Sequence, residues 1–186
     1  MASDSRASMV RSAASLIRTR GVNATSFSDV LAASGAPRGS IYYHFPEGKA
    51  QLAEDAVRWT SERVLAHQAS CPASTAAGVL EWFIDMWRQV VLSSNGAAGC
   101  VVAGVALDTV AGEPGLIDLV RSTYRSWVDL LAGQLQAVGV PAERAPAIAT
   151  VTLAGMEGAL ILCRAEAGSS PLETVAAELI RSLGPA

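Results

Sequence analysis

Apolar residues recur at helical spacing along almost the whole chain, and no stretch alternates apolar and polar residues as a half-buried strand does. That periodicity confines the fold to the all-α class. Turn signals divide it unevenly, cutting the first fifty residues into short pieces and the rest into long ones. The pattern predicts nine helices. The first runs from about Ser5 to Arg20, with Met9, Ala13, Leu16 and Ile17 on one face and Gly21 as its C-terminal cap. A second, of two turns, starts at Ser26, a capping residue, with Asp29 in its first turn, and stops at Gly35. A third starts near Pro37 and ends at Pro46-Glu47-Gly48. Six more are expected over about Lys49–His67, Thr75–Ser93, Val101–Val110, Leu116–Val138, Ala142–Ala167 and Ser170–Leu183. Gly112-Glu113-Pro114-Gly115 is expected to end the sixth of the nine, and Gly139-Val140-Pro141 to separate the two longest.

A short capped helix, a glycine turn and a second short helix form a helix-turn-helix, the device that holds one helix rigidly in the major groove of DNA. Val30, Leu31 and Ala33 are expected to point inward from the first of these helices, and Ala32 and Ala33 to allow close packing. Ile41, Phe45 and, as the weaker expectation, Tyr42 are assigned to the inner face of the second. Its outer face would carry Arg38, Gly39, Ser40, Tyr43 and His44. Arginine offers a two-pronged donor to guanine or phosphate, glycine lets the backbone approach the duplex, and the hydroxyls reach phosphate or base edges. His44 is evenly balanced between phosphate contact and packing. Lys49 starts the next helix, where its charge and the backbone N–H groups suit a phosphate, and Thr25 and Ser26 hold a similar position at another helix start.

Charge supports this division. Residues 1–50 carry six basic and three acidic residues, net +3, and the remainder carries eight basic and fourteen acidic, net −6. Only the head has the sign to approach phosphates. The fold expected is therefore an N-terminal three-helix DNA-binding domain over residues 1–48 and a C-terminal helical domain over 49–186.

Arg38-Gly39-Ser40-Ile41-Tyr42-Tyr43-His44-Phe45 resembles the head of the TetR/AcrR family. The family pattern there reads lysine or arginine, glycine, threonine or serine, an aliphatic residue, two tyrosines, histidine and phenylalanine. Pro37 stands where the family often has a capping serine, and Gly48 where serine or an acidic residue is common. Gly99-Cys100, and Glu157 to Arg164, resemble the LmrA/YxaF-type branch. The resemblance implies a transcriptional regulator whose C-terminal domain dimerises and binds a small molecule, with ligand binding lowering affinity for operator DNA. Repression is part of that implication.

The body residues fit this picture. The helix expected over 142–167 is apolar or small almost all round, which calls for more than one packing partner. Val151, Gly155, Gly158, Ala159, Leu162, Val175 and Leu179 are the expected dimer interface. Trp82, Phe83, Met86, Trp87, Tyr124 and Trp127 are the expected lining of a pocket for a small hydrophobic effector. The same spacing also fits plain core packing. The expected partners are a double-stranded DNA operator, that effector and a second copy of the chain, with no membrane and a cytoplasmic location. Cys71, Cys100 and Cys163 are too widely spaced for a disulfide framework or a zinc site. No catalytic residue, cofactor or metal is expected. The alternatives for an all-α chain of this kind are a helical protein-interaction module or a small-molecule enzyme on the same scaffold.

Overall fold

The computed structural model describes residues 2–108 and 114–184. Among them are nine α-helices and no strand: α1 (Ala2–Arg20), α2 (Phe27–Ser34), α3 (Ser40–His44), α4 (Lys49–Ala69), α5 (Ala76–Ser94), α6 (Val101–Asp108), α7 (Pro114–Ala137), α8 (Ala145–Glu166) and α9 (Ser170–Arg181). Their ends follow local chemistry. Gly21 closes α1 at φ +81°, its N–H donating to the Ile17 carbonyl at 2.8 Å. The Thr75 hydroxyl caps α5 by accepting from the Gly78 amide, and Asn95 ends that helix in the left-handed conformation that asparagine tolerates. Proline occupies the first turn of both α8 and α9, where its missing N–H leaves no donor unpaired.

Several boundaries differ from the sequence pattern. Helix α3 starts at Ser40, because Pro37 heads a turn in which its carbonyl accepts from the Ser40 amide at 3.0 Å. Helix α8 starts at Ala145, after a turn in which the Arg144 amide donates to the Pro141 carbonyl at 2.9 Å. Pro114 and Gly115 lie within α7. Thr109 and Val110 of the expected sixth helix, and Gly112 and Glu113 of its expected end, lie outside the described residues.

The chain forms two compact units, 1–63 with 100–123 and 64–99 with 124–186. Neither is a continuous segment. In the first, Met9, Ala13 and Ile17 of α1, Val30 of α2, Ile41, Phe45, and Leu52 and Ala56 of α4 are buried, together with Val102 and Val105 of α6. Val10 and Ala14 widen the buried face of α1, while Leu16 is half-buried. Ala32 and Ala33 correct the sequence expectation, for both are exposed and Leu31 is half-buried. The second unit is built on Leu80, Phe83 and Ile84 of α5, Leu131 and Leu135 of α7, Met156 and Leu160 of α8 and Leu172 of α9. Cys100 and Cys163 are buried and Cys71 half-buried, and none of the three is in a disulfide. Among the described residues α8 is the one helix long and apolar enough to cross a bilayer. Ala149, Leu153, Met156 and Leu160 turn one side of it into the core of the second unit.

Candidate nucleic-acid interface

Helix α2 has only eight residues and depends on its caps. The Ser26 hydroxyl accepts from the Asp29 amide at 3.2 Å, and the Asp29 carboxylate accepts from the Ser26 amide at 2.9 Å, a reciprocal capping box. The Ser26 hydroxyl also donates to the Asp29 carboxylate at 2.6 Å, and this bond, then the one from the Ser26 amide, with a smaller contribution from the Arg20 guanidinium 3.4 Å away, hold the Asp29 carboxyl below its ordinary range. Gly35 ends the helix at φ +68°, a conformation that other residues adopt only with strain. The chain then turns through Pro37, Arg38 and Gly39 into α3.

Helix α3 is five residues long and has one inner face. Ile41 is 0% exposed and Phe45 1%, whereas Tyr42 is 69% exposed and Tyr43 79%. Tyr42 therefore differs from its inward assignment. It meets the Phe27 ring edge-on at 5.6 Å and leaves most of its surface to solvent. Tyr43 packs edge-on against His44 at 5.1 Å, and His44 is half-buried. Arg38 and Gly39 are exposed, and the Ser40 hydroxyl donates back to Pro37 at 2.7 Å. Arg38, Gly39, Tyr42 and Tyr43 thus lie together on the solvent side of one turn and helix.

The other candidates of the head sit differently. Thr25 is 3% exposed, its hydroxyl donates to the Gly21 carbonyl at 2.7 Å and its amide donates to Val22 at 3.0 Å. Both of its donors are used inside the turn, so the expectation of a phosphate contact from Thr25 is corrected to a structural role. Ser26 is exposed but engaged in its cap. Lys49 starts α4, and its ammonium donates to the Asn23 carbonyl at 3.1 Å. Arg6 of α1 forms an ion pair with Asp55 of α4 and lies 5.5 Å from the Phe45 ring centre, which ties α1, α3 and α4 together. Burial pushes the Asp55 carboxyl up, and the adjacent Arg6 opposes that shift.

In the second unit the expected pocket residues form two groups. Phe83 and Trp87 meet at 6.2 Å, Trp87 and Trp127 at 6.2 Å, and Trp127 and Tyr124 at 5.7 Å, all edge-on. The Tyr124 hydroxyl donates to Glu157 at 3.3 Å. Phe83, Trp87 and Trp127 are buried, and the Trp87 indole N–H is buried without a hydrogen-bond partner among the described residues. Trp82 stands apart. Its ring stacks on His67 at 4.7 Å and its N–H donates to the His67 carbonyl at 2.9 Å. Met86 is half-buried.

The expected interface residues also separate. Val151, Gly158 and Leu162 lie exposed on α8. Gly155 faces α9, where a Cβ would lie 3.1 Å from Val175 and 3.5 Å from Leu179, so these three close a seam within the chain. Ala159 is 1% exposed, and the expectation that it meets a partner is corrected: it belongs to the core.

A head with these capped helices matches, over residues 10–56, the family described as bacterial regulatory proteins, tetR family. Residues 76–178 match the C-terminal domain of LmrA/YxaF-like transcriptional regulators. The chain belongs to the TetR family of bacterial transcriptional regulators. It is 39% identical over 181 residues to an HTH-type transcriptional regulator of Mycobacterium tuberculosis (strain ATCC 25618 / H37Rv), covering 94% of this chain and 91% of that protein. It is 30% identical over 172 residues to the HTH-type transcriptional regulator LmrA of Bacillus subtilis, covering 91% of each. A TetR transcriptional regulator of Chloroflexus aurantiacus has a similar solved structure, with a TM-score of 0.79, 28% identity and coverage of 98% and 95% of the two chains. As a TetR-family regulator, the chain has in α2 and α3 its DNA-binding helix-turn-helix.

Proposed function

We propose that this TetR-family regulator is a ligand-responsive repressor that grips a palindromic operator as a homodimer in the cytoplasm and is released by a small hydrophobic molecule. The functional division falls at residues 48 and 49, with DNA reading before it and dimerisation and effector binding after it. The observation that carries the DNA-binding part is the exposure of Tyr42 and Tyr43 on a helix whose Ile41 and Phe45 are fully buried. The edge contacts of the two tyrosines leave most of each ring in solvent beside an exposed arginine, where folding gains little from them, whereas a duplex uses all three. Arg38, Gly39, Ser40, Tyr43 and His44, joined by the exposed Tyr42, face the duplex in this reading, with Ser26 and Lys49 at its edges.

The dimer part rests on α8. Ala147, Val151, Ala154, Gly158, Ile161, Leu162 and Ala165 are exposed and recur every three or four residues, the spacing of a helix-pairing seam. The unused indole N–H of Trp87 beside Trp127 and Tyr124 supports the effector reading, since a buried donor without a partner suits a ligand that brings an acceptor. A twofold pair of heads would meet half-sites about one helical turn apart.

The test is a gel-shift titration at low salt with the duplex that flanks the protein's own gene. Arg38→Ala and Tyr43→Phe are expected to weaken retardation while leaving the dimer mass unchanged, and a lost guanine contact at Arg38 would cost about 1–3 kcal/mol per head. A folded wild-type dimer that retards nothing would refute the repressor reading. Loss of the dimer in either variant would refute the division of labour at residues 48 and 49.

A further inference from the structure

We propose that Asp108, some sixty residues beyond the reading helix, is a positioning residue for DNA binding, which rests on the DNA-binding reading above. Asp108 is the last residue of α6 and its only polar side chain. One oxygen of its carboxylate accepts from the Asn23 amide at 2.9 Å. Asn23 belongs to the turn between α1 and α2 that delivers the chain to the Ser26 cap. The Asn23 carbonyl in turn accepts from the Lys49 ammonium at 3.1 Å. One residue of the head's turn is thus held from two sides, by an acid from α6 and a base from α4.

The fit around this tie is close. Gly21 stands at φ +81°, and a Cβ there would lie 2.4 Å from the bonded carboxylate oxygen, so the Asp108 side chain occupies the space that any other residue at 21 would fill. Further back on α6, Gly104 lies against α1, where a Cβ would be 3.2 Å from the Ile17 carbonyl. The other inward residues of α6 are Val101, Val102 and Val105, whose buried side chains make non-directional apolar contacts. The carboxylate is different. A hydrogen bond to a charged acceptor is short and directional, and it fixes the turn relative to α6. Because that turn feeds α2, and the helix-turn-helix reads DNA as a rigid corner, the tie sets the pose in which Arg38 and Tyr43 are presented.

Electrostatics provides a discriminating test, because the general effect of Asp108 on a polyanion has the opposite sign. Removing a carboxylate that lies against the head should strengthen DNA binding by relieving repulsion. If Asp108 positions the head, Asp108→Ala weakens binding to the duplex flanking the protein's own gene by about tenfold. Asp108→Asn keeps an acceptor oxygen in place and removes only the charge, so it binds at least as tightly as wild type. Amide exchange measured on the same full-length dimers reads the bond itself. The Asn23 amide is protected in wild type and in Asp108→Asn, and exchanges about tenfold faster in Asp108→Ala, while amides in the middle of α1 are unchanged. Binding of Asp108→Ala equal to or tighter than wild type overturns the proposal, as does an unprotected Asn23 amide in wild type. If Asp108→Ala does not fold, the exchange of wild type and Asp108→Asn still decides whether the tie exists. If wild type retards no DNA, the parent reading fails and this proposal with it, and Asn23 protection then shows a tie with a purely structural role.

Discussion

The reading helix has no means of standing alone, and this yields a quantitative prediction. Five residues are far fewer than the twelve to fifteen or so at which an isolated helix becomes even marginally stable in water, so α3 persists only because Ile41 and Phe45 dock it. Ile41→Ala removes three carbons from a site with no exposed surface. At about 0.8 kcal/mol per carbon the lost transfer energy is roughly 2.4 kcal/mol, and the cavity left behind raises the total to about 3 kcal/mol. Docking of α3 therefore weakens about a hundredfold, since each 1.4 kcal/mol or so is a factor of ten. The Phe45 amide, which donates to the Ile41 carbonyl at 2.8 Å, is the reporter. Its hydrogen exchange in the full-length protein should accelerate about a hundredfold in Ile41→Ala, with the dimer mass unchanged. Tyr43→Ala is the control. Its side chain is 79% exposed, so stability should change by no more than about 0.5 kcal/mol and Phe45 exchange by less than about threefold, although DNA binding falls. Acceleration below about threefold in Ile41→Ala, or an equal acceleration in Tyr43→Ala, would refute the division into a docking face and a reading face.

The capping box of α2 makes the head sensitive to acid. Asp29 has a folded pKa below its ordinary 3.8, so its contribution to stability is present above that value and is lost as the pH falls through 3.8 and below it. Ser26→Ala should cost about 1 kcal/mol at neutral pH. It should also flatten the acid dependence of the urea midpoint, because the hydroxyl that contributes most to lowering Asp29 is gone. An equally steep acid dependence in Ser26→Ala would count against that assignment. On α8, Leu162 is half exposed, so Leu162→Arg should leave the thermal stability of the isolated chain within about 0.5 kcal/mol of wild type. It should convert a dimer to monomers in sedimentation, since two arginines would face each other across the twofold axis. A retained dimer would move the interface away from this seam.

Much of the head is legible from spacing. Ile41 and Phe45 are four apart, as are Met9 and Ala13, and each pair shares a buried face because a helix brings every fourth residue round to the same side. Ser26 and Asp29 stand at the offset of a capping box, and both bonds form. Tyr42 was not legible in this way. It follows Ile41 directly, yet a helix of five residues buries one narrow face, and the turn of about 100° between neighbours places Tyr42 outside it. Thr25 looks like a free helix-start residue in sequence, but the Gly21 carbonyl comes within 2.7 Å once α1 has been capped.

The body shows where local pattern stops. Trp82 and Phe83 are adjacent aromatics on one helix and equal candidates by sequence. One stacks on His67 and the other enters the core, according to which neighbouring helix each meets. Gly155, Gly158 and Ala159 are alike as small residues of α8, yet one faces α9, one faces solvent and one is enclosed. By itself the sequence determined the helix count among the described residues, the caps, the docking face of α3 and the family, because each of these depends on residues within one or two turns of each other or on a contiguous motif. Only the tertiary structure decided which donors were already used, which small residues were already covered, and that Asp108 holds Asn23 across 85 positions of chain. Contacts between distant segments depend on how whole helices pack, and no local spacing encodes that.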